Sequence, residues 1–253
     1  MLWIASKLYL RWSENYMKKQ NTFEVDWLHA AERLLAKSLI KAESDEAMSL
    51  RLPGEEKMLG GTFDKKLSVV DLNGTKASGE ARSAFGGLEG FPASHLHAAI
   101  YRSRPDVGAI LFSRQDWGSS LNQGPKSMPG IFDEQVRQLG RFVAPLKAMP
   151  KQISTFRGRL GPATLSQLRA GEQVFLVSGG LLVLGHTVER VVFNAELVEK
   201  CAKAYLIAVA TGLTVKKVPL YVRIIANMRL HKDQKRSKAS YAAGKTPEGF
   251  KAY

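Results

Sequence analysis

The sequence predicts an α/β fold, and two stretches carry most of that expectation. In "SHLHAAIYRSRPDVGAILF", residues 94–112, a helix stops at Arg104-Pro105-Asp106 and a short, wholly apolar run follows, which suits a buried strand. In "EQVFLVSGGLLVLGHTVERVVFNAELVEKCAKAYL", residues 172–206, two apolar runs flank Gly179-Gly180 and lead into a long helical pattern. Strand and helix patterns therefore alternate along the chain, and no internal repeat is visible.

The remaining elements follow in order. From Val25, the apolar residues Leu28, Ala31, Leu35 and Leu39 recur at three and four, predicting an amphipathic helix that ends near Glu43. "MSLRLPGEEKMLGG" and "LSVVDLNG" read as short strands, broken at Pro53-Gly54 and closed by an Asn73-Gly74 turn. Residues 75–93, rich in Gly, Ser and Ala, read as a loop, with Ser94 as N-cap of a helix from His95 to Ser103. Further helices are expected over 133–140 and 163–170. The last, from Val188 to about Thr211, turns Val191, Val192, Ala195, Val198, Ala202 and Tyr205 to one side.

Composition bounds the function classes. At 253 residues and 45% hydrophobic, the chain can bury a large core. No apolar run approaches the roughly 20 residues a membrane helix needs. The single cysteine, Cys201, excludes an internal disulfide, a zinc ribbon and a redox pair. Charge is the marked feature: 37 Lys+Arg stand against 23 Asp+Glu, a net +14. Residues 216–253 alone supply +8 and residues 1–22 a further +3. The chain thus divides into a basic N-terminal extension (1–22), a globular domain (23–215) and a basic C-terminal tail (216–253). The opening residues suit either a mitochondrial presequence or an ordinary arm docking Trp3, Leu8 and Leu10. The expected location is intracellular, in the mitochondrial matrix or otherwise the cytoplasm.

Several phrases, in this order along the chain, resemble the class II aldolase/adducin family: "MSLRLPG", "SVVDLNG", "LHAAIYRSRPDVGAIL" and "VFLVSGGLLVLGHTVERVVFNAELVEKCAKAYL". The resemblance spans roughly residues 25–211. It implies a three-layer α/β/α arrangement with a central mixed sheet. It also implies a site: sugar-phosphate aldolases and epimerases of the family hold a divalent metal with three histidines, which stabilises an enediolate. Aligned on "RPDVGAILFSR", the first two ligand positions fall on Phe112 and Arg114, and the third, aligned on "LVSGGLLVLG", falls on Gly179. The acid-base glutamate position falls on Ala93, the phosphate-binding serines on Phe91 and Pro92, and a Gly-Asn pair on Glu46 and Ala47. The resemblance thus leads to a degenerate member without metal, cofactor or catalytic residues, a pseudoenzyme.

His95-Leu96-His97 has a spacing that holds zinc elsewhere. On a helix, however, positions i and i+2 lie about 200° apart and cannot readily share an ion, so the pair reads as structural, with one ring packed and the other in solvent. His186, just after the second strand, reads as a surface residue. Gly60-Gly61, Gly86-Gly87 and Gly179-Gly180 lack phosphate-loop spacing and read as tight turns. Asp64, Asp71 and Asp106 read as turn caps.

The charge then directs the functional expectation. Lys216, Lys217, Arg223, Arg229, Lys232, Lys235, Arg236 and Lys238 are interleaved with Tyr221, Tyr241, Phe250 and Tyr253, a pattern suited to RNA, with a solvated tail, an acidic protein partner or, as in adducin, acidic lipid as the alternatives. The leading expectation is a non-catalytic structural subunit of a ribonucleoprotein, such as a ribosome, with RNA and protein subunits as partners. An adducin-like interaction module ranks second. A divergent sugar-phosphate lyase or epimerase, with His95, His97 and Arg114 as an anion clamp, ranks third. Homo-oligomerisation stays open.

Overall fold

The computed structural model describes residues 22–41, 45–64, 67–73, 91, 93–149, 156 and 159–248. A helix over 22–36 (α1) comes first. The order continues with β1 (Ala47–Arg51), β2 (Lys57–Thr62), β3 (Ser68–Asp71), α2 (Ser94–Ser103), β4 (Ala109–Ser113), α3 (Asp116–Ser120), β5 (Met128–Pro129), α4 (Asp133–Gln138) and β6 (Phe142–Pro145). After α5 (Pro162–Arg169) come β7 (Val174–Val177), β8 (Gly180–Gly185), α6 (Val188–Ala210) and α7 (Leu220–Ala242).

The eight strands form one mixed sheet in the order β3-β2-β1-β4-β8-β7-β6-β5. All pairs are antiparallel except β6 with β7. The central strands are apolar on both faces because both are covered. On β4 and β8, Ala109, Leu111, Leu181 and Val183 join one apolar cluster with residues of α1 and α6. Their neighbours Ile110, Phe112, Leu182 and Leu184 point the other way, into a cluster with α2 and the α5 residue Leu168. The period-two alternation of a strand thus generates the three layers.

Several local expectations need correction. Of the stripe read from the sequence, Ala31 and Leu39 are buried but Leu28 and Leu35 face outward; the buried face of α1 is Trp27, Ala30, Ala31 and Leu34, and the helix ends at residue 36, short of Glu43. Trp27 anchors this face by donating its indole N–H to the carbonyl of Met48 on β1. Ser94 is the first residue of α2 rather than its cap; Ala93 precedes it without a side-chain hydrogen bond. Gly60-Gly61 is not a turn but part of β2. A Cβ at Gly60 would lie 2.6 Å from the Phe91 ring and 2.8 Å from Ser49 Cβ, so the glycine admits Phe91 over the strand. Gly179, in the β7–β8 turn, has the positive φ of 69° that favours glycine. Gly86-Gly87, the loop over 75–90 and the extension 1–21 lie outside the described residues.

Residues 220–242 of the basic C-terminal segment form a helix packed on the domain. Ala226, Leu230, Ser237 and Tyr241 are its buried positions. Arg137 of α4 pairs with Asp233 at 2.5 Å, and Gln234 donates to the carbonyl of Gly171. At the far end, Ser237 donates to the carbonyl of Asp106 and Tyr241 to that of His186.

Candidate functional site

The antiparallel pairing of β1, β4 and β8 brings distant positions to one end of the sheet. Ala47 faces Phe112 across β1–β4, and Phe112 and Ser113 face Leu182 and Leu181 across β4–β8. Gly180, next to Gly179, lies so close to Phe112 and Ser113 that a Cβ there would stand 2.8 Å from the ring and 2.7 Å from the Ser113 carbonyl. Positions 46, 47, 112, 114, 179 and 180, scattered in sequence, therefore meet.

What they present is mixed. Phe112 is 2% exposed and shares a buried cluster with Ala47, Phe91 and Ala93. Beside this apolar floor, Glu46 is buried and its carboxylate accepts from the backbone N–H of Lys41 and of Arg114. The Arg114 guanidinium lies 5.2 Å over the Phe112 ring and forms a two-pronged ion pair with Asp45, the second contact being 2.9 Å. Both side chains of that pair are more than a third exposed. Just beyond, Glu199 of α6 accepts from the backbone N–H groups of Trp117 and Gly118 at 2.9 and 2.8 Å, closing the first turn of α3. Lys203 stands over the Trp117 ring at 5.6 Å.

The two helical histidines separate. His97 is fully buried, and His95 is exposed. Tyr101 donates its hydroxyl to the carbonyl of Ser49 at 2.9 Å. The Ser49 hydroxyl then lies 2.8 Å from His97 Nδ1. Where the Ser49 hydroxyl donates to Nδ1, the ring proton is on Nε2, which finds no hydrogen-bond partner among the described residues. Phe91 packs edge-on against the ring at 5.3 Å. Burial pushes the imidazole pKa down to about 3, so the ring is neutral.

His186 is buried, contrary to the surface position expected from its place after β8. Its Nδ1 is 3.2 Å from the carbonyl of Asp106. The reason is α7, whose Tyr241 covers it. Asp106 is likewise more than a turn cap: it pairs with buried Arg104 through two contacts of 2.8 and 2.7 Å. Burial works to raise its pKa, but the Arg104 guanidinium, with a smaller contribution from His186, holds the carboxyl below the ordinary value. Arg104 also donates to the carbonyls of Leu168 and Glu172. Asp71 does act as a turn cap, accepting from the N–H of Asn73. Sequence reasoning missed Ser49, Tyr101, Arg51 and Tyr241 as partners of this polar layer. Arg51 donates to the carbonyls of Val107, Tyr101 and Arg104, capping the end of α2.

The basic residues of the C-terminal segment do not gather at the β4 end. Lys216 and Lys217 lie on the α6–α7 connection, and Arg223, Arg229, Lys232, Lys235, Arg236 and Lys238 run along α7. Arg236 donates to the carbonyl of Glu248.

Fold and site together define an α/β domain with a mixed, mainly antiparallel sheet and its polar convergence at the β1, β4 and β8 end. Residues 57–206 match the sequence profile of the class II aldolase and adducin N-terminal domain, and the chain belongs to that family. Among solved structures it is similar to an L-fuculose 1-phosphate aldolase, with TM-score 0.63 and 17% identity over 84% of this chain and 95% of that one. It is also similar to the L-fuculose 1-phosphate aldolase of Glaciozyma antarctica PI12, with TM-score 0.59 and 17% identity over 86% and 88% of the two chains. At these identities the likeness establishes the fold. The decarboxylase NovR of Streptomyces niveus is 24% identical over 125 residues, 47% of this chain and 43% of its own length. The matched stretch is thus under half of that protein.

These relatives correct the leading functional expectation. Proteins matching this chain bear the names of enzymes, including a decarboxylase, an oxygenase/synthase and sugar-phosphate aldolases, and none of these names is that of a ribosomal or other ribonucleoprotein subunit. The structural-subunit reading, its RNA partner and the pseudoenzyme reading are withdrawn accordingly. Among the described residues, no helix is long and apolar enough to cross a membrane.

Proposed function

We propose that the chain is a divergent enzyme of the class II aldolase type that cleaves a carbon–carbon bond beside a carbonyl group, with the Arg114 guanidinium meeting the negative charge that develops. The observation that carries this reading is the position of Arg114. It stands just past the end of β4, paired with Asp45 and over the Phe112 ring, at a position where the family resemblance places a metal ligand. The residues there do not fit a divalent ion. Phe112 and Gly179 offer no side-chain donor atom, Arg114 is a permanent cation, and no cluster of three His, Cys, Asp or Glu side chains occurs among the described residues. Positive charge at that place is nevertheless retained.

Aldol cleavage and decarboxylation share one demand: the electron pair of the broken bond passes to the carbonyl, leaving an enolate that must be stabilised and then protonated. A guanidinium held over an apolar floor meets that demand by presenting a positioned positive charge and N–H donors to the oxyanion. Its present partner, Asp45, is held in an exposed pair worth about 0–1 kcal/mol, so a substrate carboxylate or phosphate can displace it. In aldol cleavage the freed Asp45 carboxylate takes the proton of the hydroxyl that becomes the new carbonyl and returns it to the enolate carbon; in decarboxylation water supplies that proton. The substrate class is accordingly a small carbonyl compound bearing a carboxylate or phosphate. The domain proposed to carry this chemistry comprises residues 23–215 with α7 docked on it.

Steady-state kinetics on Arg114→Gln test the reading, using a panel of 2-oxo acids, 3-oxo acids and sugar phosphates. Loss of one preorganised donor to an oxyanion lowers kcat by about 100-fold or more. The expected result is a loss of that size, with unfolding stability unchanged. Turnover unaffected by Arg114→Gln refutes it.

A further inference from the structure

Two neighbouring acids grip residue 114 at its two ends. Asp45 takes the guanidinium, and Glu46 takes the backbone N–H. The grips differ in permanence. The Asp45 and Arg114 side chains are both more than a third exposed, whereas Glu46 is fully buried and its other oxygen accepts from the N–H of Lys41 at 2.6 Å. A substrate anion can therefore displace Asp45, but Glu46 stays and holds residue 114 at the end of β4, with its own charge in place.

That charge bears on which anion the guanidinium takes. Asp45 is the chain neighbour of Glu46, so an anion in its place lies within about 10 Å of the Glu46 carboxylate. Burial leaves this carboxylate little screened by dissolved ions. At an effective dielectric near 20, each negative charge at about 10 Å weakens binding by about tenfold or more. A phosphate dianion meets the repulsion twice, a carboxylate once. The available donors point the same way. A phosphate brings three strong acceptor oxygens. Phe112 lies beneath the guanidinium, and Ala47, Phe91 and Ala93 share its cluster, none with a polar side chain to offer. A carboxylate brings two oxygens, and the guanidinium already holds two, those of Asp45, in its two-pronged pair. We propose that Glu46 selects a singly charged carboxylate over a phosphate dianion at Arg114, so that the substrate is an unphosphorylated carbonyl acid. This selection rests on the anion-binding role proposed for Arg114.

The test is equilibrium binding of 4-oxopentanoate and of hydroxyacetone phosphate to the full-length protein, by titration calorimetry at pH 7.5. Both ligands carry a methyl ketone at the same separation from the anion, and at that pH the phosphate carries close to two charges. The parent should bind the carboxylate at least about tenfold more tightly. Glu46→Gln keeps an oxygen to accept the Arg114 N–H but removes the charge. It should narrow the preference by about tenfold, chiefly by tightening the phosphate. A purely structural Glu46 would leave the preference as it is in the parent, and that result overturns the proposal. Equal or tighter binding of the phosphate by the parent also overturns it, a comparison that needs no variant to fold. Arg114→Gln separates this selection from the role it rests on. If both ligands are lost in Arg114→Gln but the parent prefers the phosphate, the selection alone falls. Binding indifferent to Arg114→Gln, or absent for both ligands in the parent, overturns both.

Discussion

Replacing His97 with leucine removes a proton-binding group that the folded protein keeps neutral. Full burial pushes its pKa from the ordinary 6.5 to about 3. The unfolded chain takes up a proton near pH 6.5, whereas the native protein takes none until about pH 3. Between those values the unfolded state binds more protons, so stability falls as the pH drops. From pH 7 to pH 5 the loss from this group is about 2 kcal/mol, at roughly 1.4 kcal/mol per pH unit below 6.5. Leucine suits the site. The Ser49 hydroxyl keeps Tyr101 as a neighbour at 3.1 Å, and Nε2 has no partner to lose. Urea unfolding of the parent protein and His97→Leu at pH 7 and pH 5 isolates the effect, because groups other than residue 97 are common to both. The parent should lose about 2 kcal/mol more than the variant between the two pH values. Equal losses would refute the burial argument.

Other substitutions probe the packing around this layer. Arg104→Ala leaves Asp106 buried without its cation and the carbonyls of Leu168 and Glu172 without a donor, and denaturation should show a loss of about 3–5 kcal/mol. Tyr241→Phe removes the hydroxyl that donates to His186 at 2.9 Å and should cost about 1 kcal/mol, read from the urea midpoint. Gly108→Ala should cost more, about 1–3 kcal/mol, because the new Cβ would stand 1.8 Å from the Tyr241 hydroxyl and 2.3 Å from a backbone oxygen. The buried Cys201 thiol is pushed up to about 12, so a thiol reagent at pH 8 should leave it unmodified in the native protein and label it in urea.

The strands and long helices were legible because their periodicity is written in large apolar residues. On β4 and β8 the apolar runs signal cover on both faces, and α6 buries Val191, Val192, Ala195, Val198 and Ala202, the residues its spacing selects. Helix α7 was not legible as a packed element. Its buried side holds only two apolar aliphatic residues, Ala226 and Leu230, followed by Ser237 and Tyr241, while larger apolar groups face outward. The sequence pattern therefore points away from the docked side. His186 and Asp106 were misplaced for the same reason, since what buries them arrives from 131 residues downstream of Asp106. The shift of the α1 stripe has a different cause: Trp27 outweighs Leu28 through its hydrogen bond to Met48, a bond that spacing cannot reveal. At the β4 end, register alone decides that positions 46, 112, 114 and 180 meet. Their residue types could be read in advance, but the pairing of Arg114 with Asp45 and the capping of its N–H by Glu46 could not.

The most direct test of the account is turnover of a carbonyl acid or sugar phosphate by one preparation before and after exhaustive chelation, with its divalent metal content measured alongside. Cleavage is expected to persist without metal and to be lost in Arg114→Gln. Cleavage that requires one bound metal per chain and is indifferent to Arg114 would contradict it.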